Sequence, residues 1–344
     1  PIPGLAAYWH VLPRLRKSLF CAHATPGYAD MAVDMSTVKA SILEHPEFAN
    51  FRSTVIGLFH DWRERNAPVL KGFALDCLPK ELIHQIGEDL LDSFRKAPLL
   101  DTYDIYQHLM DYWAETMQDD AYAIAADGWV AKPHRVLEEI KIGKKQGQMK
   151  DKGWACDLIP KPYIVARYFA GQQTELDGLQ AELDGIASQL SELEEEHSGE
   201  DGAFVELDKI NKAEVSRRLK EIKGDADSAA EAKVHKHWAS LDKQQSELKK
   251  QLKDAEEALD KLAHDKYPQL STDEIKTLVV DDKWLAALEA AVQNELERVS
   301  QTLTGRVREL AERYAIPLPQ LSSRVEELSA RVDEHLKKMG ASWL

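Results

Sequence analysis

Seven cations crowd into one short stretch: Lys132, Arg135, Lys141, Lys144, Lys145, Lys150 and Lys152. Gly143 and Gly147 lie among them and oppose a stable helix. Residues 138–152 therefore predict a β-hairpin or an ordered loop, held at its base by Trp154 and the Leu158-Ile159 pair. An exposed loop of this charge can touch phosphate oxygens. Lys141, Lys144, Lys145, Lys150 and Lys152 are thus candidates for contact with a nucleic-acid backbone. The same composition suits a hairpin that meets only water. Trp129 and Trp154 beside it read as core anchors more than as stacking platforms.

Other reactive residue types do not converge. Cys21 with His23 is the nearest approach to a metal pair, and it reads as a turn. His235 and His237 are two apart on an expected helix, so they point different ways. They, with His60, His84 and His108, read as helix surface. The acid pairs Asp119-Asp120, Glu138-Glu139 and Asp281-Asp282 read as caps or solubilising charge. No Ser-His-Asp or Cys-His set follows from spacing, and no Gly-rich phosphate loop is present. No catalytic, cofactor-binding or metal-ligating residue is assigned. A helical interaction module is expected in preference to an enzyme.

The totals agree. The chain has 344 residues, 44% of them hydrophobic, and a net charge of -15. Residues 1–170 hold 20 basic and 22 acidic side chains, and residues 171–344 hold 24 and 37. That length allows two domains with their own cores. The acidic average argues against a general nucleic-acid coat but allows a local basic patch. No apolar run is long enough for a membrane span. Scattered Cys21, Cys77 and Cys156 suit reduced thiols in the cytoplasm. A first residue that is Pro, not Met, points to a processed chain or a piece of a longer one.

The elements expected around these residues are mostly helices. Residues 5–20 suggest a helix restarted at Pro13, and 21–35 an irregular stretch. Residues 36–51 suggest a helix broken near Pro46, and 52–65 another, with Pro68 beyond its end. A helix from Pro79 carries Leu82, Ile86, Leu90 and Phe94 on one face. The next, capped by Thr102, runs to about Met117. Residues 204–222 suggest an insert helix. A helix over 281–314 and another over 320–339 end the chain. The latter carries Leu321, Val325, Leu328, Val332, Leu336 and Met339.

Two stripes organise the C-terminal half. Leu176, Leu179, Leu183, Ile186, Leu190 and Leu193 repeat three and four apart. So do Trp238, Leu241, Gln245, Leu248, Leu252, Ala255, Leu259 and Leu262. Such seams predict the arms of an antiparallel coiled-coil hairpin with an insert at 198–232. The first arm lies in a stretch, 168–208, with twelve acids and no Lys or Arg, and the second is rich in Lys. Charge therefore pairs the arms as well. The fold class expected is mainly α. Its domains are a helical subdomain over 1–162, the hairpin over 163–268, and long assembly helices over 269–344.

Several segments resemble a known family. Tyr106-Gln107-His108-Leu109-Met110-Asp111-Tyr112-Trp113 continuing to Met117-Gln118-Asp119-Asp120 is similar to the region after the catalytic domain in the modification subunit of type I restriction-modification systems. So are Asp157-Leu158-Ile159-Pro160 and Ile164-Val165-Ala166-Arg167-Tyr168-Phe169. Residues 276–321 resemble that subunit's helical tail. The likeness is specific in 103–170 and 276–321 and weaker in 1–100. It implies a parent enzyme that methylates adenine N6 in DNA with S-adenosylmethionine. The family's Asn-Pro-Pro-aromatic motif and its cofactor loop do not occur in this chain. Ile159-Pro160-Lys161-Pro162-Tyr163 lacks the acceptor and splits the prolines. The resemblance thus implies a C-terminal assembly region without its own cofactor, in a bacterial cytoplasm. Implied partners are the specificity subunit, DNA in the assembled complex, and the restriction subunit. Leu285, Leu288, Val292, Leu296, Val299, Leu303 and Leu310 are the matching interface candidates. The alternative outside the family is a cytoplasmic coiled-coil scaffold that binds itself.

Overall fold

The computed structural model describes residues 5–24, 27–139, 149–199, 202–225, 228–316 and 318–340. It is mainly helical, with two small antiparallel sheets of two strands each. The chain divides into two compact units, residues 1–128 with 280–344, and residues 129–279. This division differs from the one expected. The tail helices belong with the N-terminal helices, and the 134–155 hairpin belongs with the arms.

The first unit begins with α1 (Leu5–Val11) and α2 (Pro13–Leu19), restarted where Pro13 removes a backbone donor. Strands β1 (Phe20–Ala22) and β2 (Ala29–Met31) follow, pairing Cys21 with Asp30 in a stretch expected to be irregular. Next come α3 (Val38–Leu43) and α4 (Pro46–Gly72). Pro46 starts α4 and does not break it, because Pro suits the first helical turn and His45 accepts from Glu47 N as the cap. Pro68 lies inside α4 and does not end it. Pro68 itself is exposed, so water can satisfy the carbonyl that loses its donor, while Leu70 beyond it is fully buried.

Helix α5 (Pro79–Phe94) buries Leu82, Ile86, Leu90 and Phe94 as the spacing requires. Helix α6 (Thr102–Tyr112) is capped by Asp101, whose carboxylate accepts from Tyr103 N, and not by Thr102. A π-helical turn over Trp113–Met117 leads into α7 (Gln118–Asp127), which ends at Gly128 with φ of 77°.

In the second unit, β3 (His134–Glu139) pairs with β4 (Met149–Ala155), with a register shift between Arg135 and Leu137. Helix α8 (Lys161–Tyr168) leads into the arms, α9 (Ala170–Glu196) and α11 (Ala229–Lys266). Between them lies α10 (Lys212–Glu221), capped by Asn211 and shorter than expected. A 3₁₀ turn over Tyr267–Gln269 closes the second arm before α12 (Thr272–Lys276).

A π-helical segment, Thr277–Leu285, continues α12 into α13 (Ala286–Arg313). The last helix is α14 (Leu318–Lys338). In the first unit α13 packs on α1, α3, α4 and α6. Leu288, Val292, Leu296, Val299, Leu303 and Val307 all enter that core.

Two ionic details yield predictions. In the second unit, Ser271 and Glu274 form a reciprocal capping box at α12, and the Tyr168 hydroxyl donates to Glu274 Oε1 at 2.9 Å. The backbone and side-chain hydrogen bonds from Ser271, then that of Tyr168, hold the Glu274 carboxyl down at about 2. A depressed carboxyl stabilises the fold above its unfolded pKa, and the contribution disappears as pH falls through the folded value. The urea midpoint of Glu274→Gln should therefore lie below wild type at pH 7, and the gap should close between about pH 4.5 and pH 2.

In the first unit, Asp120 and Lys283 are buried and lie 2.7 Å apart, and the Trp284 indole donates to the same carboxylate at 2.8 Å. Burial pushes the Asp120 carboxyl up, against the pull of Lys283 and Trp284. Asp120→Asn should cost about 3–5 kcal/mol in urea unfolding, because it strands a buried ammonium. Replacing both partners with apolar side chains, D120L with K283M, should cost less than D120L alone.

Candidate functional site

Three kinds of surface could carry function: the basic hairpin, the buried titratable groups, and the apolar helix faces.

Of the five lysines proposed for phosphate contact, Lys141, Lys144 and Lys145 lie outside the described residues, as does the side chain of Lys150. Lys152 is described, and its ammonium is 2.8 Å from Glu138 Oε2 on the facing strand. Arg135 similarly meets Asp151 at 3.4 Å. The described part of the hairpin neutralises its own charge across the strands. Trp129 is buried, and Trp154 donates its indole N–H to Asp260 Oδ2 at 2.8 Å. Both serve the packing of their unit.

The titratable clusters are closed. Asp119-Asp120 is no turn cap. It sits inside α7, and Asp120 is sealed with Lys283 and Trp284. Asp281 is likewise no loose surface acid, because Lys71 pairs with it. His108 lies 2.9 Å from Glu295 Oε1. Burial opposes the charge of Glu295, but hydrogen bonds from His108 and Arg298 outweigh it and hold the carboxyl below its usual range.

His235, expected on a helix surface, is fully buried beside Phe204, with Nε2 3.3 Å from Glu231. His237 is exposed, so the two do diverge. Neither sequence spacing nor charge pattern signals Asp120 or His235. Asp120 is set by Lys283 and Trp284, distant in the chain, and His235 by Phe204 together with its near neighbour Glu231. Among the described residues, no three His, Cys, Asp or Glu side chains gather into a metal-binding group. None of the described helices is long and apolar enough to cross a membrane.

The apolar faces divide sharply. In the arms, Leu183, Leu190, Trp238, Leu241 and Leu259 are buried, and Leu176, Leu179, Ile186, Leu193, Leu248 and Leu252 are half-buried. Leu262 is off the seam and exposed, and Ala263 is buried in its place. A helix turning every 3.6 residues drifts from a strict heptad, and the last step lands one residue later. Among the described residues no Lys of α11 lies within ion-pair distance of an acid of α9. The charge match between the arms is a diffuse field, not a set of pairs.

Six of the seven interface candidates, Leu285, Leu288, Val292, Leu296, Val299 and Leu303, are enclosed by their own unit, and Leu310 is half-buried. Another subunit could reach that face only by unpacking the core. The free stripe lies one helix later. Leu318, Leu321, Val325, Leu328, Val332 and Met339 are all exposed, Val325 at 65% and Met339 at 81%, and α14 has no buried residue. No family model matches this chain, nor does any curated protein or solved structure.

Proposed function

We propose that this chain is the C-terminal assembly region of the modification subunit of a type I restriction-modification DNA methyltransferase. The parent enzyme would use S-adenosylmethionine to methylate adenine N6, and this region would dock the specificity subunit without transferring methyl groups itself. The assembly role is carried by one observation, the uncovered stripe of α14. Its apolar residues recur every three or four positions, the pattern of a helix that packs against other helices. Fully burying an aliphatic side chain contributes about 1.5–3 kcal/mol. Five or six of them are of the size needed to offset the roughly 4–15 kcal/mol of freedom lost on association. The resemblance in residues 103–170 and 276–321 supplies the identity of the partner, and the stripe supplies the need for one.

The test is a binding titration with the specificity subunit. Val325→Asp with Leu328→Asp should weaken docking at least 100-fold and leave the thermal melt unchanged. Leu288→Asp should instead lower the melt, because it places a charge in the core. Docking by V325D/L328D at wild-type affinity would overturn this surface. Methylation of DNA by this chain alone would overturn the assembly reading.

The same stripe supports a second reading, self-association as a scaffold. A concentration-dependent dimer that V325D/L328D abolishes, with no affinity for a specificity subunit, would select it.

Contact of the lysine hairpin with the DNA backbone in the assembled enzyme is the second element of the proposal. Lys144→Glu with Lys145→Glu should reduce the salt slope of DNA binding by about 2, near 0.9 for each lost phosphate contact.

A further inference from the structure

We infer that a cleft in the first unit, lined by Trp9, Pro13, Arg16, Lys17, Phe20 and Cys21, is a contact site for a nucleic-acid strand. Arg16 and Lys17 would meet its phosphates, and Trp9 would meet an unpaired base. The inference rests on the part of the proposed function in which the chain meets DNA. It assigns that contact to residues the lysine hairpin does not include.

Three independent observations carry it. The first is charge. The chain has a net charge of -15, yet residues 1–29 contain no Asp or Glu and hold Arg14, Arg16 and Lys17. The second is pairing. Four cations of this unit are held by long-range ion pairs, Lys39 with Glu297, Arg63 with Glu289, Arg65 with Asp89 and Arg298 with Asp104. Arg14 comes within 4.0 Å of Glu47. Arg16 and Lys17 are exposed, and no described carboxylate lies within ion-pair distance of either.

The third is shape. The two cations border a cleft of about 430 Å³ with no acid in its lining. Its aromatic wall is Trp9, set edge-on to Phe20 with centroids 6.0 Å apart and planes at 83°. Phe20 belongs to the β1–β2 hairpin and Trp9 to α1, so secondary structure holds both rings. Cations that only meet water need no aromatic groove. A positive groove with a ring for an unstacked base is how sequence-tolerant strand binding works.

The shared chemistry is a phosphate ester joined to a planar base, which a free nucleotide also has. A strand differs in spanning more than one phosphate.

The experiment uses the whole chain carrying Cys77→Ser. Cys156 is buried and Cys21 is exposed at the cleft, so maleimide labelling then reports Cys21. The probes are a 12-nucleotide oligothymidylate and thymidine monophosphate. The oligonucleotide should slow Cys21 labelling several-fold at low salt, with the protection lost at high salt, and the mononucleotide should not.

By anisotropy, Arg16→Gln with Lys17→Gln should weaken oligonucleotide binding about tenfold and cut the salt slope by about 1.4, near 0.7 per contact. Trp9→Ala should weaken binding without changing the slope. Lys249→Gln with Lys250→Gln, on α11, should change neither.

Unchanged affinity and slope in R16Q/K17Q, or unprotected Cys21 at saturating oligonucleotide, would overturn the site. Equal protection by the mononucleotide would overturn the strand assignment. A chain that docks the specificity subunit but fails these tests refutes this inference alone. Protection of Cys21 in a chain with no affinity for that subunit refutes the assembly reading and leaves this site standing.

Discussion

The burial of the α13 stripe against α3, α4 and α6 is the constraint on which the first unit depends. It joins residues near 290–307 to residues near 38–113, across a long loop of chain. Closing such a loop costs entropy that grows only slowly with its length, and burying six or more Leu and Val side chains offsets it. The ion pairs around the rim, such as Arg298 with Asp104, are exposed and each contribute little. Apolar area therefore holds this unit together, and charge sets which residues face each other at its edge.

That constraint also decides what is left for a partner. Helices α13 and α14 carry the same kind of repeat, and sequence periodicity reads them alike. One is sealed inside its own unit, and the other leaves Leu318, Leu321, Val325, Leu328, Val332 and Met339 exposed. A 3.6-residue period shows that a helix has a face to cover, and says nothing about what covers it. The face at 285–310 is covered by residues more than 170 positions earlier in the chain.

Local rules read well from the sequence, and distant ones did not. The stripe of α5 and the apolar seams of the two arms depend on neighbours within a turn or two. Pro68 sits inside α4 because the cost of a helical proline depends on whether water can reach the orphaned carbonyl, which its spacing in the sequence does not show. The burial of Asp120 has no local signal, because an acid beside another acid suits a solvated surface until Lys283 and Trp284 arrive from far along the chain. Arg16 and Lys17, which meet no described carboxylate, have a sequence signal in the absence of any acid before Asp30.

The arms show how a two-helix seam can stay ordered with a half-covered middle. Two helices alone shield only one side of each leucine, so Leu179, Ile186, Leu248 and Leu252 keep part of their surface in water. The ends are different. At the far end, Leu190, Phe204, Val215, Trp238 and Leu241 close a small core, and Trp238 also donates to Glu194 at 2.7 Å. Near the base, Trp154 meets the rings of His264 and Tyr267 edge-on, and the Tyr267 hydroxyl donates to Ile159 O at 2.7 Å.

Helix ends fray first, so closing both ends of a weak seam protects its middle more than the same area placed at the centre would. On this argument the insert has a structural task of its own. It supplies Phe204 and Val215, the third side that the two arms cannot provide for each other.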